Sequence, residues 1–310
     1  AAGTAYQIAI DGYGGATGTI VLRLALTASS GSTGGTGRSR LINVSTRGVV
    51  PSGGTLTPGF VVRGTGTKQL LIRGLGPALA SFGVAGTMGD PRLELVPIGS
   101  TNPSISNDNW GTNNVTTLAN AASAVGAFAL QSGSRDAAVV TSLSLSAQLT
   151  GYTVRVSPVA GGTAGVALAE VYDMDPASSA TRLVNISTLG FVGTGGNVMI
   201  CGFVVSGNGP KQLLIRAVGE GLGRFGVGGL LADPTLAVFQ GSAQIASNDD
   251  WVSTPALRAA TTAAGAFALT EQSLDSALVL VLQPGTYTAQ VIGFDNATGN
   301  ALVEIYDLDP

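Results

Sequence analysis

The sequence predicts an all-β protein: two tandem Ig-like or jelly-roll-type β-sandwich domains preceded by an N-terminal β-hairpin arm. Three observations carry that prediction. Glycine supplies 46 of the 310 residues, about twice its usual share of roughly 7%, which suits tight turns and suits helices badly. Short apolar or alternating runs recur, bounded by Gly, Pro, Asn or Ser clusters. The chain also repeats itself, and internal repeats decide a fold before any local pattern does.

The repeat is read directly. Arg40-Leu-Ile-Asn-Val-Ser-Thr46 returns as Arg182-Leu-Val-Asn-Ile-Ser-Thr188, and Lys68-Gln-Leu-Leu-Ile-Arg73 returns unchanged as Lys211-Gln-Leu-Leu-Ile-Arg216. Gly59-Phe-Val-Val62 matches Gly202-Phe-Val-Val205, Ser106-Asn-Asp-Asn-Trp110 matches Ser247-Asn-Asp-Asp-Trp251, and Tyr172-Asp-Met-Asp-Pro176 matches Tyr306-Asp-Leu-Asp-Pro310. The offset shrinks from 142 at Arg40/Arg182 to 134 at Pro176/Pro310, so the second copy is shorter in the loops after its Trp. These boundaries divide the chain into a hairpin arm at 1–28, a Gly/Ser/Thr linker at 29–39, one repeat at 40–176, a short linker at 177–180 and a second repeat at 181–310.

Within the first copy, strands are expected at 41–46, 55–63, 69–73, 92–98, 137–145, 152–156 and 166–172. Seven short strands per copy favour a sandwich over a parallel sheet. A short helix is expected after each Trp, most clearly where Pro255 opens Ala256-Leu-Arg-Ala-Ala260. The arm is built from Gly3–Ile10 and Ala16–Leu24 around the turn Asp11-Gly-Tyr-Gly-Gly15. Its apolar positions Tyr6, Ile8, Ile10, Ile20, Leu22 and Leu24 are the candidate subunit-assembly residues, because a lone two-stranded hairpin is marginal in water and needs further strands.

Composition excludes several classes. Charged residues are 11% of the chain and the net charge is −3, which offers no basic stripe for nucleic acid. Lys68 and Lys211 are the two lysines, so no polybasic membrane patch exists, and no apolar run reaches the roughly 18 residues of a membrane span. The chain contains no His, which removes the commonest general base and every Ser-His or Cys-His nucleophile. No enzyme activity is expected, and Cys201 reads as a core thiol.

Oxygen-rich clusters are the remaining chemistry. Asp108, Asp249 and Asp250 precede the two Trp residues, and Asp173 and Asp307 close the two copies. They are weak Ca²⁺ candidates, set against the simpler reading that Asx side chains cap turns; no other cofactor is expected. Arg73 and Arg216 end apolar strands and read as buried ion-pair or carbonyl clamps, with Asp90 and Asp233, or Asp108 and Asp249, as partners. Trp110 and Trp251 read as packing anchors, with sugar stacking as the sharper alternative. Gly64-Thr-Gly-Thr-Lys68 and Gly207-Asn-Gly-Pro-Lys211 lack the spacing of a phosphate loop and read as hairpin loops between adjacent strands.

With its Lys-Gln-Leu-Leu-Ile-Arg and Asn-Asp-X-Trp motifs, the chain resembles tandem Ig-like β-sandwich repeats of large secreted bacterial surface proteins. The N-terminal hairpin resembles the end of a pre-peptidase C-terminal-like module. That resemblance implies an extracellular or cell-surface location. The absence of a signal peptide at the start is read as removal of the export signal or its placement outside this numbering. The expected function is a structural subunit of an extracellular filament or surface fibre, a homopolymer assembled by donated β-structure. The alternative is a segment of a tandem-repeat adhesin or glycan-binding surface protein.

Overall fold

A computed structural model describes residues 5–8, 22–25 and 39–309. The chain is predominantly β. Strands β1 (Ala5–Ile8) and β2 (Leu22–Ala25) form a two-stranded antiparallel ribbon. The first repeat contains β3 (Arg40–Val50), β4 (Thr57–Arg63), β5 (Gly66–Leu75), β6 (Pro91–Pro97), β7 (Ile105–Asn107), helix α1 (Val115–Ala124), β8 (Ala137–Leu145), β9 (Leu149–Pro158) and β10 (Gly165–Asp173). The second contains β11 (Arg182–Val192), β12 (Met199–Ser206), β13 (Lys211–Val218), β14 (Pro234–Gln240), β15 (Ala243–Asn248), helix α2 (Pro255–Ala264), β16 (Ser276–Leu282), β17 (Gly285–Gly293) and β18 (Gly299–Asp307).

Local sequence accounts for most of these elements. Gly285–Gly293 alternates buried and half-buried along its whole length, the period of a strand with one face on a core. Asn114 caps α1 by accepting from the Thr117 amide at 3.0 Å, and Thr254 caps α2 by accepting from Leu257, each satisfying an otherwise orphaned first-turn donor. Gly265, at φ 66°, ends α2 in the left-handed region that only glycine enters cheaply.

The strands form two antiparallel rows of eight. One runs β8-β5-β10-β3-β12-β17-β14-β15 and the other β16-β13-β18-β11-β4-β9-β6-β7. Each row is half first repeat and half second repeat. The first strand of each copy therefore pairs with the second strand of the other. The register is the same in both joints: Arg40 and Leu41 face Ser206 and Val205, while the equivalent Arg182 and Leu183 face Arg63 and Val62. Strands β3 and β11 meet across the core through parallel bridges at Leu41/Leu183 and Val49/Phe191. Between them the Thr46 and Thr188 hydroxyls hydrogen-bond at 2.7 Å, fully buried. Those two threonines are equivalent residues, so they mark a pseudo-two-fold axis.

Close approach at these joints uses glycine. A Cβ on Gly202 would sit 2.6 Å from the Ser45 hydroxyl, and one on the equivalent Gly59 would sit 3.1 Å from Ser187. The rows face each other in the first repeat at Gly74, whose Cβ would lie within 3.3 Å of Val156 and Leu93. One apolar core runs through both repeats, from Leu41, Phe60 and Ile72 to Phe203, Ile215 and Ile305. The short segment at 177–180 separates β10 from β11, but strand pairing and core both cross that boundary.

Two sequence expectations change. The glycine-bearing segments after β4 and β12 are not hairpin loops, because β4 and β5 lie in different rows, as do β12 and β13. They are arches, and each docks on the start of the other copy: Gly209 on Ser39, and Thr67 on Thr181. Of the candidate assembly residues, Tyr6 lies opposite Leu24 and Ile8 opposite Leu22; Ile10 and Ile20 lie outside the described residues.

The axis contact predicts non-additivity. Thr46→Val or Thr188→Val alone leaves one buried hydroxyl without its partner and costs roughly 1–2 kcal/mol. The double variant costs clearly less than the sum of the two. Urea unfolding of the four proteins measures this, and strict additivity would contradict a direct contact between the equivalent threonines.

Candidate functional site

Each repeat carries the same three buried polar clusters. In the first, Arg73 on β5 reaches Glu170 on β10 across the paired residues of the two strands. Its Nε donates to Glu170 Oε2 at 2.7 Å and its Nη1 to the Phe128 carbonyl at 2.7 Å, and its guanidinium lies 4.3 Å from the Phe128 ring centre. Tyr172 completes the set by donating to Glu170 Oε1 at 2.8 Å. The second repeat repeats every part: Arg216 Nε donates to Glu304 at 2.9 Å and Nη1 to the Phe267 carbonyl at 2.6 Å, and Tyr306 donates to Glu304 at 2.6 Å. Burial, reinforced by the neighbouring Glu170 charge, pushes the Tyr172 hydroxyl well above its usual range.

The second cluster closes each copy. Lys68 is fully buried and places Nζ 2.5 Å from Asp173 and 3.0 Å from Asp175, with a further bond to the Thr181 carbonyl at 3.2 Å. Lys211 does the same with Asp307 at 2.8 Å and Asp309 at 3.1 Å. The third is a carboxylate seated at a 3₁₀ turn. Asp136 accepts from the Gly76 and Ala78 amides and the Ser134 hydroxyl. Asp275 accepts from the Gly219 amide at 2.8 Å and the Ser273 hydroxyl at 2.8 Å.

These contacts relocate several sequence-derived residues. The arginine partners are Glu170 and Glu304, in place of Asp90, Asp233, Asp108 or Asp249. Asp173 and Asp307 hold lysine ammonium groups, which fills the role a cation would take. Asp108, Asp249 and Asp250 are exposed at their loops, and Asp249 accepts from the Thr235 hydroxyl at 2.7 Å. Among the described residues, no three acidic, His or Cys side chains are grouped to hold a metal ion. Asp90 pairs with Arg135 at 3.1 Å. The corresponding position beside Asp233 is Leu274, and burial together with Asp249 and Asp250 raises the Asp233 carboxyl.

Trp110 and Trp251 are 6% and 7% exposed, so neither ring offers a face to a sugar; both pack beneath the helices. The Trp251 indole donates to the Thr270 carbonyl at 3.0 Å. A cavity of about 240 Å³ lies beneath α1, lined by Leu71, Trp110, Leu118, Ala122 and Leu130 among others. Cys201 lies in the core opposite Thr46, and burial pushes its thiol up to about 12, which makes it inert as a nucleophile. Among the described residues no helix is long and apolar enough to cross a membrane.

The surfaces left for interaction are the four ends of the two rows: β7, β8, β15 and β16. Strand β7 is three residues long. Strand β15 is bulged against β14, with Ile245 its one large apolar residue. Strand β8 carries Thr141, Ser142 and Ser144, and both main-chain groups of Ala138 are occupied, by Asn107 at 2.9 Å and Asn113 at 2.9 Å. Strand β16 reads Ser-Ala-Leu-Val-Leu-Val-Leu, without charge, Pro or Gly, and its Val281 is 63% exposed. Its one edge clip is the Ala277 amide bonded to Asn248 at 2.8 Å.

No protein-family model matches the sequence, and no curated protein sequence does. Among solved structures, a chain from the "Structure of PNGF-II in P21 space group" aligns at 9% identity with a TM-score of 0.21, over 99% of this chain and 65% of that one. The chain thus spans just under two thirds of that protein, and a likeness this distant carries no argument.

Two predictions follow from the buried clusters. Arg216→Leu strands the Glu304 carboxylate in the interior and lowers unfolding free energy by roughly 3–5 kcal/mol, whereas Asp233→Asn leaves it unchanged or higher; urea denaturation separates the two. The second concerns pH. Burial raises the Asp307 carboxyl to about 6 against the pull of Lys211, while an unfolded chain releases that proton near pH 4. Between those values the folded state binds more protons, so this residue's contribution to stability is present below about pH 4 and is lost as pH rises through about 6, by roughly 3 kcal/mol at most. The stability of the wild type relative to Asp307→Asn therefore falls across that window. A constant difference from pH 4 to 6.5 would contradict it.

Proposed function

We propose that the chain is a structural subunit of an extracellular surface fibre, assembled by donation of β-structure between copies. The observation that carries this reading is a matched pair of deficits. Strands β1 and β2 pair only with each other among the described residues, while one of the four row ends is the seven-residue apolar strand β16. An isolated ribbon of two short strands is marginally stable, and an exposed flat apolar edge is a template for pairing with another chain. Strand addition answers both at once.

Further support comes from what the interior does. Two ion-pair clusters recur in both copies, with Arg73 and Arg216 on buried glutamates and Lys68 and Lys211 on the aspartates that close each copy. That arrangement suits an architectural role. A glycan-binding surface module is the less favoured reading, since both tryptophans are packed inside.

Deleting residues 1–37 is the test. The shortened chain keeps its folded signature by circular dichroism and urea unfolding but no longer polymerises, as followed by light scattering and negative-stain microscopy. Unaffected polymerisation after the deletion would defeat donation by the arm.

A further inference from the structure

The geometry points to β16 as the acceptor edge, and to the N-terminal hairpin of a second copy as its occupant; this rests on the donation reading above. Four observations converge. First, β16 is the least guarded of the four row ends, for the reasons given by the short, bulged and hydroxylated strands at the other three.

Second, the difference from the equivalent strand is directed. Aligning Ala138 with Ala277 places Leu280 and Val281 where the first copy has Thr141 and Ser142; Leu280 packs on the core, and Val281 is the exposed change. The edge of one copy is polar and clipped on both groups of Ala138; the edge of the other is apolar and clipped at a single amide. Two descendants of one sequence have diverged at this strand while keeping the buried clusters alongside it. Polar side chains usually protect such edges from indiscriminate pairing, so their loss on one copy marks the edge that is used.

Third, the backbone available on β16 can be named. Ala277 directs its amide outward, to Asn248. In an antiparallel strand the outward-facing residues alternate, so the amides and carbonyls of Val279 and Val281 face out, and those of Leu278, Leu280 and Leu282 face β13. The occupant thus finds two consecutive ladder positions with no competing side chain.

Fourth, the chain reaches. It leaves the described body at Ser39, which is bonded to Gly209, two residues before Lys211, the strand partner of Leu282. The hairpin root and the end of β16 thus lie at the same end of the molecule, within roughly 15 Å by strand spacing. The segment from 26 to 38 extends to at most about 43 Å, enough to cross to the β16 of a second copy docked at that end. Leu22 and Leu24 stand at alternate positions of the donor sequence and suit pairing with Val279 and Val281.

The experiment compares the full chain at low and at high concentration; a chain that stays monomeric throughout overturns both the acceptor assignment and the donation reading. Amide exchange of Val279 and Val281 slows roughly a hundredfold or more on assembly, while Leu278 and Leu280, already bonded to β13, change little. Val281→Lys, at an exposed position, keeps the fold and raises the concentration for half-assembly roughly tenfold or more; Ser142→Lys on β8 leaves it unchanged. If assembly is lost on deleting 1–37 but survives Val281→Lys with Val279 still exchanging fast, the acceptor assignment is overturned and donation stands. If assembly is lost with Val281→Lys but survives the deletion, β16 pairs with something other than the hairpin and both readings fall. If Val279 and Val281 are already protected in the dilute monomer and lose that protection on deletion, the hairpin folds back on its own chain and the second-copy occupant is overturned.

Discussion

The exchange of first strands between the two repeats is the constraint from which the remaining architecture follows. Because β3 pairs with β12 and β11 with β4, neither copy holds a complete row of its own, and the rows exist only when both copies are folded together. The axis contact between Thr46 and Thr188 is buried in the middle of that exchange. Each hydroxyl there is bonded to its own equivalent, so the two copies constrain each other at this position. The glycines at 59 and 202 follow from the same geometry: a Cβ would crowd Ser187 at 3.1 Å or Ser45 at 2.6 Å on the exchanged strand. Local steric requirements thus repeat in both copies because one interface makes both of them.

The buried charges take on meaning in that frame. A buried ion pair is weak evidence of stability, since desolvation offsets most of its attraction. Its strength is directional. Arg73 fixes β5 to β10 through Glu170 and also ties down the segment after α1 through the Phe128 carbonyl. Lys68 holds both carboxylates that end β10 together with the carbonyl that begins the second copy. Each cluster pins a strand's register and a loop's path together. A slip by one residue would move a guanidinium or ammonium away from its partners and leave charge uncompensated in the interior. The apolar core tolerates small errors of packing, whereas these groups do not, which is how such similar strands find one arrangement.

Much of this was legible in the sequence, and the failures have physical causes. The duplication, the β class, the short helix after each Trp and the core placement of Cys201 all rest on local patterns, and they hold. The exchange was not legible because Gly59-Phe-Val-Val62 and Gly202-Phe-Val-Val205 are the same words: a strand pattern states what kind of neighbour it accepts but not which of two identical neighbours supplies it. The same degeneracy turned two arches into expected hairpins. The arginine partners were missed because Glu170 and Glu304 sit inside apolar runs nearly a hundred residues downstream, while aspartates stood close to recognisable motifs. The usable signal was a glutamate at the same place in both copies, three residues before the closing aspartate, within a run of aliphatic residues. Ser134-Arg-Asp136 and Ser273-Leu-Asp275 gave a comparable signal for the capping carboxylates.

Where the copies differ is as informative as where they agree. Interior substitutions are coupled through shared rows, so a change in one copy's clusters propagates to its neighbour, and the interior has stayed nearly fixed. Edge positions are coupled less tightly, although Leu278 and Leu280 pack on the core and Ala138 and Ala277 bond to asparagine side chains. Thr141 and Ser142 can become Leu280 and Val281, and Arg135 can become Leu274, without disturbing a single buried bond. Divergence therefore accumulates at the ends of the rows, and it accumulates unequally: hydroxyls and a clipped backbone at β8, an apolar open strand at β16. A solvent-facing edge gains nothing from aliphatic side chains and risks indiscriminate pairing. An edge that is apolar on one copy alone, at the end of the molecule from which a half-formed sheet emerges, has the asymmetry that directional assembly requires.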